Sequence, residues 1–203
     1  MQITSVMPLF PQTTIVGSID IDHDKIVFDL QSKFLDIKYY NEQDLFYKTD
    51  PYLHKEKNYK DLSDNILELV SEICSKVLYY EDVSAEISLM WGIGTPKTRN
   101  IHRHFHPNSI FSGVYYPQNI QYSEIRFYSP HKPTILPKIF SKNIYSSISM
   151  SYAPSQGDVI IFPSQLEHDT AINSTDDLRF SVAFNIFLRG DFGHEESLSS
   201  ITL

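Results

Sequence analysis

A single cysteine, Cys74, leaves no partner for an internal disulfide, so packing alone must hold the fold and a reducing compartment is implied. Positive charge is also in short supply. Lys and Arg number 17 against 25 Asp and Glu, a net charge of −8, which excludes a nucleic-acid partner gripped by non-specific phosphate contacts. No apolar run approaches the ~18 residues of a membrane span. The N-terminus also lacks a basic stretch followed by an apolar one. These absences predict a soluble, cytoplasmic protein with no membrane partner. Repeats, low-complexity tracts and interdomain linkers are missing too, and 203 residues suit a single domain over 1–203.

What is present favours sheet. Aromatic residues make up 13%, mostly Tyr and Phe, within a hydrophobic share of 41%. Residues 1–20 read as extended, with a β-branched run ending at Gly17. Asp22 then caps a predicted helix over 23–35, where Ile26, Val27, Leu30 and Phe34 recur at helical spacing. Residues 37–60, polar and carrying Pro51, read as loop. A second helix is predicted over 62–79, with Ile66, Leu69, Val70, Ile73 and Val77 as its apolar stripe. Cys74, beside that stripe, reads as a small core residue.

From Ser84 onward short strands follow one another, split by Gly and Pro: 87–91, 102–106 stopped by Pro107, 112–116, 124–128, 147–152, 159–162, 170–172 and 178–188. The class is therefore mainly β with supporting helices, a sandwich or barrel. Residues 1–83 form an extended segment and helical buttress, 84–190 the β core, and 191–203 a loose polar tail. Within 178–188, alternation puts Phe180, Val182, Phe184 and Ile186 on one face and Arg179, Ser181 and Ala183 on the other. A cation inside so apolar a run is costly unless it meets an anion.

Histidines supply the chemistry. His102, His104 and His106 fall in one predicted strand and His168 closes another. Residues two apart on a strand point the same way, so His104 and His106 can offer both imidazoles to one metal, with His168 as third ligand. Three protein ligands leave coordination positions open, as a catalytic site needs. His102 with His104 satisfies the same spacing, and His106 with Asn108 is a weaker third option. The first pairing is preferred because Pro107 then ends the strand at the ligand.

His168 followed by Arg179 and Ser181 resembles the Fe(II)/2-oxoglutarate-dependent oxygenases, whose jelly roll (double-stranded β-helix) carries His-x-Asp/Glu, a later His, and then an Arg, often in Arg-x-Ser. His104-Phe105-His106-Pro107-Asn108-Ser109 followed by Ser112-Gly113-Val114-Tyr115-Tyr116 is similar to an oxygenase family related to prolyl hydroxylases. The likeness runs over 91–188 and leaves 1–80 outside it. It implies a jelly-roll core over 84–190, with Fe(II), 2-oxoglutarate and O2 as cofactors. It also implies metal ligands and catalytic residues His104, His106 and His168. Arg179, Ser181 and Tyr116 would bind the distal carboxylate of 2-oxoglutarate. His106 stands where the superfamily has its acidic ligand, so the set is three imidazoles and the site one charge more positive.

The implied reaction hydroxylates a C–H bond of a peptide, protein or small-molecule substrate and releases succinate and CO2. Loops 37–60 and 129–146 are expected to choose that substrate. A second copy of the chain, as a homodimer, is the one protein partner held open. Plainer readings stand beside each residue: Arg179 as a surface ion pair with Asp176 or Asp177, Tyr116 as a core tyrosine, and Asn108 and Ser109 as a turn. A cupin-type dioxygenase or isomerase shares the fold and the spacing of Gly157, Pro163 and His168. It would need a Glu near Ile110 or Phe111, and it has no use for Arg179 and Ser181. A non-catalytic jelly-roll binding module is the remaining alternative.

Overall fold

The computed structural model describes residues 2–8, 10–43, 45–119, 124–131, 134–135, 137–141, 143–193 and 199–203. Two antiparallel sheets face one another, and two helices cover the outer face of the larger. In chain order the elements are β1 (Ile15–Ser18), α1 (His23–Phe34), β2 (Tyr40–Asn41), β3 (Phe46–Lys48), α2 (Lys60–Glu72), β4 (Val83–Thr95), β5 (Phe111–Tyr115) and β6 (Ile125–Tyr128). They continue with β7 (Ser149–Tyr152), β8 (Asp158–Pro163), β9 (His168–Thr170), β10 (Arg179–Phe192) and β11 (Ile201–Thr202). The large sheet runs β1-β8-β5-β10-β4-β3-β2, with β11 added to the end of β10, and the small sheet runs β7-β6-β9.

Both helices form for the reasons their sequences suggest. The Asp22 carboxylate accepts from the Lys25 amide at 3.0 Å, satisfying one of the free N–H groups that open α1. Ile26, Leu30 and Phe34 of α1 and Leu62, Ile66 and Val70 of α2 are buried against Phe180, Val182, Phe184 and Ile186 of β10. Each such side chain contributes about 1.5–3 kcal/mol on leaving water, so this layer supplies much of the stability. α2 stops earlier than its apolar stripe suggests. At Ile73–Val77 the chain widens into a π-turn, and Val77 is exposed. Cys74 is buried, as its neighbourhood in the sequence predicted.

Three segments depart from the sequence reading. Residues 37–60 are not plain loop: β2 and β3 form a hairpin on the edge of the large sheet, with Tyr47 opposite Gly94 and the Tyr40 and Tyr47 rings 5.0 Å apart. Cross-strand aromatic packing outweighs the polar composition there. Residues 102–106 are not a strand; His104 alone bridges to His168. β9 is only three residues long, and the His106 amide instead donates to Ser164 in the turn after β8. The tail folds back as well, with Asp191 opposite Thr202 and Phe192 opposite Ile201. Residues 194–198 of that tail, and 132, 133, 136 and 142 of the 129–146 loop, lie outside the described residues. Among the described residues no helix is long and apolar enough to cross a membrane.

The consequence for the site lies in β10. Its even-numbered side chains from Phe180 to Ile186 join the helix-side core. Its odd-numbered ones, Arg179, Ser181, Ala183 and Asn185, line the space between the sheets. On the neighbouring strands Trp91, Ile93 and Phe46 cluster with Ala183 on that same inner face.

Candidate active site

Two crossing backbone segments gather the histidines. The His104 amide donates to the His168 carbonyl at 3.0 Å and the His168 amide returns the bond at 2.9 Å. His168 also opens β9 opposite Phe127 of β6 and is 3% exposed. The candidate ligand nitrogens of His104, His106 and His168 all lie within 4.8 Å of one another. Their rings sit 4.9 Å (104 to 106), 4.4 Å (104 to 168) and 5.3 Å (106 to 168) apart, centroid to centroid. Pro107 and Asn108, whose φ is +60°, then turn the chain away towards β5.

Tautomers follow from the hydrogen bonds. The His104 Nδ1 lies 2.7 Å from the His102 carbonyl and the His168 Nδ1 lies 2.9 Å from the Leu166 carbonyl. A carbonyl oxygen only accepts, so each Nδ1 carries a proton and each Nε2 is the ring nitrogen left to face a metal. His102 thus contributes its backbone, and its ring is not in the set. Burial, reinforced by the neighbouring His104 and His168 rings and by Lys48, pulls the His106 pKa down to about 3. Burial, with His104 next, pulls His168 down to about 4. Rings held neutral at pH 7 in so tight a group are ready to donate to a cation.

Arg179 is 5% exposed. Its guanidinium donates to the Ala171 carbonyl at 2.8 Å and to Thr170 Oγ1 at 2.9 Å, and among the described residues it pairs with no carboxylate. The surface ion pair with Asp176 is not formed; Asp176 accepts from Lys97 at 2.6 Å. A buried charge left without a counter-ion costs on the order of several kcal/mol. Nearby, the Tyr116 hydroxyl is buried and has no hydrogen-bond partner among the described residues. Burial drives its pKa up, while the Arg179 charge pulls the other way. Ser181 shares the strand face of Arg179 and lines the same cavity.

That cavity, of about 690 Å3, takes in the three histidines, Arg179, Tyr116 and Ser181. Loop 37–60 contributes Phe46, Lys48 and Pro51 to its wall, and the described part of 129–146 contributes none. Asn108 lines it as well as turning the chain, and Ser109 Oγ bonds Ser164 Oγ at 2.9 Å. Sequence reasoning missed Trp91, Lys48 and Asn185 here. The alternation that exposed Arg179 and Ser181 extends two steps to Asn185, so its signal was present. Lys48 and Trp91 carried none, because only the β3–β4 pairing sets them beside His106.

Residues 89–185 match the family model described as "Putative 2OG-Fe(II) oxygenase". No curated protein matches the sequence. Among solved structures, the non-heme alpha ketoglutarate dependent epimerase SnoN from nogalamycin biosynthesis is similar with a TM-score of 0.62 at 9% identity, over 88% of this chain and 79% of that one. HygX from Streptomyces hygroscopicus, with iron bound, is similar with a TM-score of 0.58 at 12% identity, over 87% and 82%. A Pseudomonas putida prolyl-4-hydroxylase reaches a TM-score of 0.54 at 12% identity, over 86% and 92%. Identities this low speak for the fold, which is the jelly roll, and the family match speaks for the lineage. Over residues 89–185, just under half of its length, the chain is thus similar to the 2OG-Fe(II) oxygenases, and its His104, His106 and His168 group is one that can hold a metal ion.

Proposed function

We propose that the protein is an Fe(II)- and 2-oxoglutarate-dependent oxygenase that hydroxylates a C–H bond of a peptide, protein or small-molecule substrate. In this reading His104, His106 and His168 hold Fe(II), while Arg179, Ser181 and Tyr116 receive 2-oxoglutarate. The observation that carries it is a pair of unmet needs in one cavity: among the described residues, a buried guanidinium with no carboxylate and a buried phenol with no partner. A dicarboxylate bound here would answer both, with Arg179 and Tyr116 as the groups that would hold its distal carboxylate.

The donor set fits the metal. Two of the three imidazoles are tied through Nδ1 to backbone carbonyls, so their Nε2 atoms are aimed before any ion arrives. His106 and His168, held neutral by burial, need shed no proton at pH 7. Bound there, Fe(II) with 2-oxoglutarate and O2 supplies an oxidant able to take hydrogen from a C–H bond, releasing succinate and CO2. The protein's work is positional. Arg179 presents a planar pair of N–H donors to a carboxylate, held at the required angle by Ala171 and Thr170. Tyr116 adds a third donor, and Ser181 a fourth from the same strand face. His106 is braced against the Trp91 indole, ring centroids 5.7 Å apart.

The test is O2-dependent release of succinate from 2-oxoglutarate by the Fe(II)-loaded protein. Arg179→Lys keeps the charge but loses the planar pair, and should raise the apparent KM for 2-oxoglutarate roughly 10- to 100-fold, by the worth of a charged hydrogen bond. An unchanged KM in that variant would remove Arg179 from the role. A cupin would bind metal without consuming 2-oxoglutarate, and a binding module would do neither.

A further inference from the structure

Beyond the places taken by the metal ligands and Arg179, the cavity continues across the inner face of the large sheet. Ser181 lies opposite Ile93, and Ile93 lies opposite Lys48, so Lys48 stands two strands away from β10 at the edge hairpin. Its ammonium is 5.3 Å from the centroid of the Trp91 ring, whose indole also packs against His106. Lys48 is exposed and makes no ion pair among the described residues. Between these groups the wall is apolar, built from Phe46, Trp91 and Leu89.

At the opposite end Asn185 is held by a run of hydroxyls. Ser109 Oγ donates to Ser164 Oγ at 2.9 Å, Ser164 and Ser112 meet at 2.8 Å, and Ser112 Oγ donates to Asn185 Oδ1 at 2.9 Å. If each hydroxyl donates once, all point one way and the Asn185 carbonyl is consumed. Its amide nitrogen has no partner among the described residues, and Asn185 lines the cavity. This end therefore also offers donors.

The most telling feature is what the wall excludes. In a protein with 25 Asp and Glu and a net charge of −8, the described lining residues include no carboxylate at all. With the metal and Arg179 both facing the 2-oxoglutarate dianion, a cationic substrate would still meet Lys48 with no carboxylate of the described wall to offset it. Arg179 is occupied by the co-substrate, which leaves Lys48 as the second, unanswered cation.

We infer that the primary substrate is a small organic anion whose apolar body lies against Trp91, Phe46 and Leu89 and whose carboxylate is received by Lys48. This rests on the oxygenase reading, because Arg179 must already be taken by 2-oxoglutarate. The probe is 3-phenylpropanoate compared with its uncharged amide, 3-phenylpropanamide. Both are titrated without O2 into full-length protein loaded with Mn(II) and saturated with 2-oxoglutarate, and binding is read from paramagnetic relaxation of the probe protons. The acid should bind at least tenfold more tightly than the amide. Lys48→Gln should abolish that preference and Lys48→Glu should reverse it; both variants fold, since Lys48 is an exposed edge residue. Equal affinities, no binding of the acid, or a preference that survives Lys48→Glu would each overturn the inference. Displacement of Mn(II)-bound water by 2-oxoglutarate is followed in the same samples. Its absence would sink the oxygenase reading itself, whereas its presence with no charge preference would sink only the substrate class.

Discussion

At the scale of single residues, Arg179 is buried without a carboxylate partner, and the Tyr116 hydroxyl without any hydrogen-bond partner, among the described residues. The proposal expects their mutants to behave in opposite ways to ordinary core mutants. An unpartnered buried hydroxyl costs about 1–3 kcal/mol. Tyr116→Phe removes that cost along with the oxygen, so the apoprotein should melt at the same temperature or higher. Its affinity for 2-oxoglutarate should nonetheless fall several-fold. Thermal melting and the Mn(II)-based titration check the two halves, and a destabilised variant with normal affinity would make Tyr116 a mere core residue. Arg179 and Ser181 were legible in the sequence because a cation on one face of an apolar strand requires an explanation. Lys48 was not, because its significance depends on a hairpin that polar composition disguised. Asn185 stood on the legible face, but the serine run that orients it joins residues far apart in the chain.

At the scale of elements, β5 is clamped between β8 and β10, and Gly113 at its centre leaves no room for a side chain. A Cβ there would lie 2.3 Å from Phe184 Cζ and 2.7 Å from the Ile160 carbonyl. The ring can shift but the backbone oxygen cannot. Gly113→Ala should therefore cost about 1–3 kcal/mol or more, the range for overpacking, read by urea denaturation. No loss of stability would show that the β5–β8 spacing is looser than described. The SGVYY pattern announced this strand correctly, and both helices were readable from their stripes and from Asp22. The 102–106 segment was misread as a strand because alternation and Pro107 fit one. β9 spends one edge on β6 and forms a bridge with this segment only at His104, so the His106 amide turns to Ser164 instead. The i, i+2 rule therefore picked two rings that do lie together with His168, although the ladder it assumed is absent.

At the scale of the whole molecule, the acidic surface and the acid-free cavity divide the charge between outside and inside. The cavity histidines also couple the fold to pH. Burial holds His106 near 3 and His168 near 4, below the ordinary value of 6.5, and His54 is shifted the same way by desolvation. The unfolded chain thus binds protons between pH 6.5 and about 4 that the folded apoprotein refuses. Stability rises with pH in that window and is lost on acidification, by about 1.4 kcal/mol per pH unit for each fully depressed histidine. Urea midpoints of metal-free protein should drop steadily from pH 6.5 to 4.5. His168→Asn should flatten the slope, and a pH-independent midpoint would mean that the rings are solvated. Fold class was legible at this scale from aromatic content and the train of short strands. The sheet order, with β1 and the β2–β3 hairpin recruited to opposite edges, was not, because it is fixed by long-range pairing alone.

The most direct measurement is an anaerobic titration of the Fe(II)-loaded protein with 2-oxoglutarate, followed by the visible charge-transfer band of a chelated 2-oxo acid. One iron and one 2-oxoglutarate per chain are predicted, with the band lost in His168→Ala and demanding far more 2-oxoglutarate in Arg179→Lys. A protein that binds no iron, or a band indifferent to both substitutions, would contradict the account.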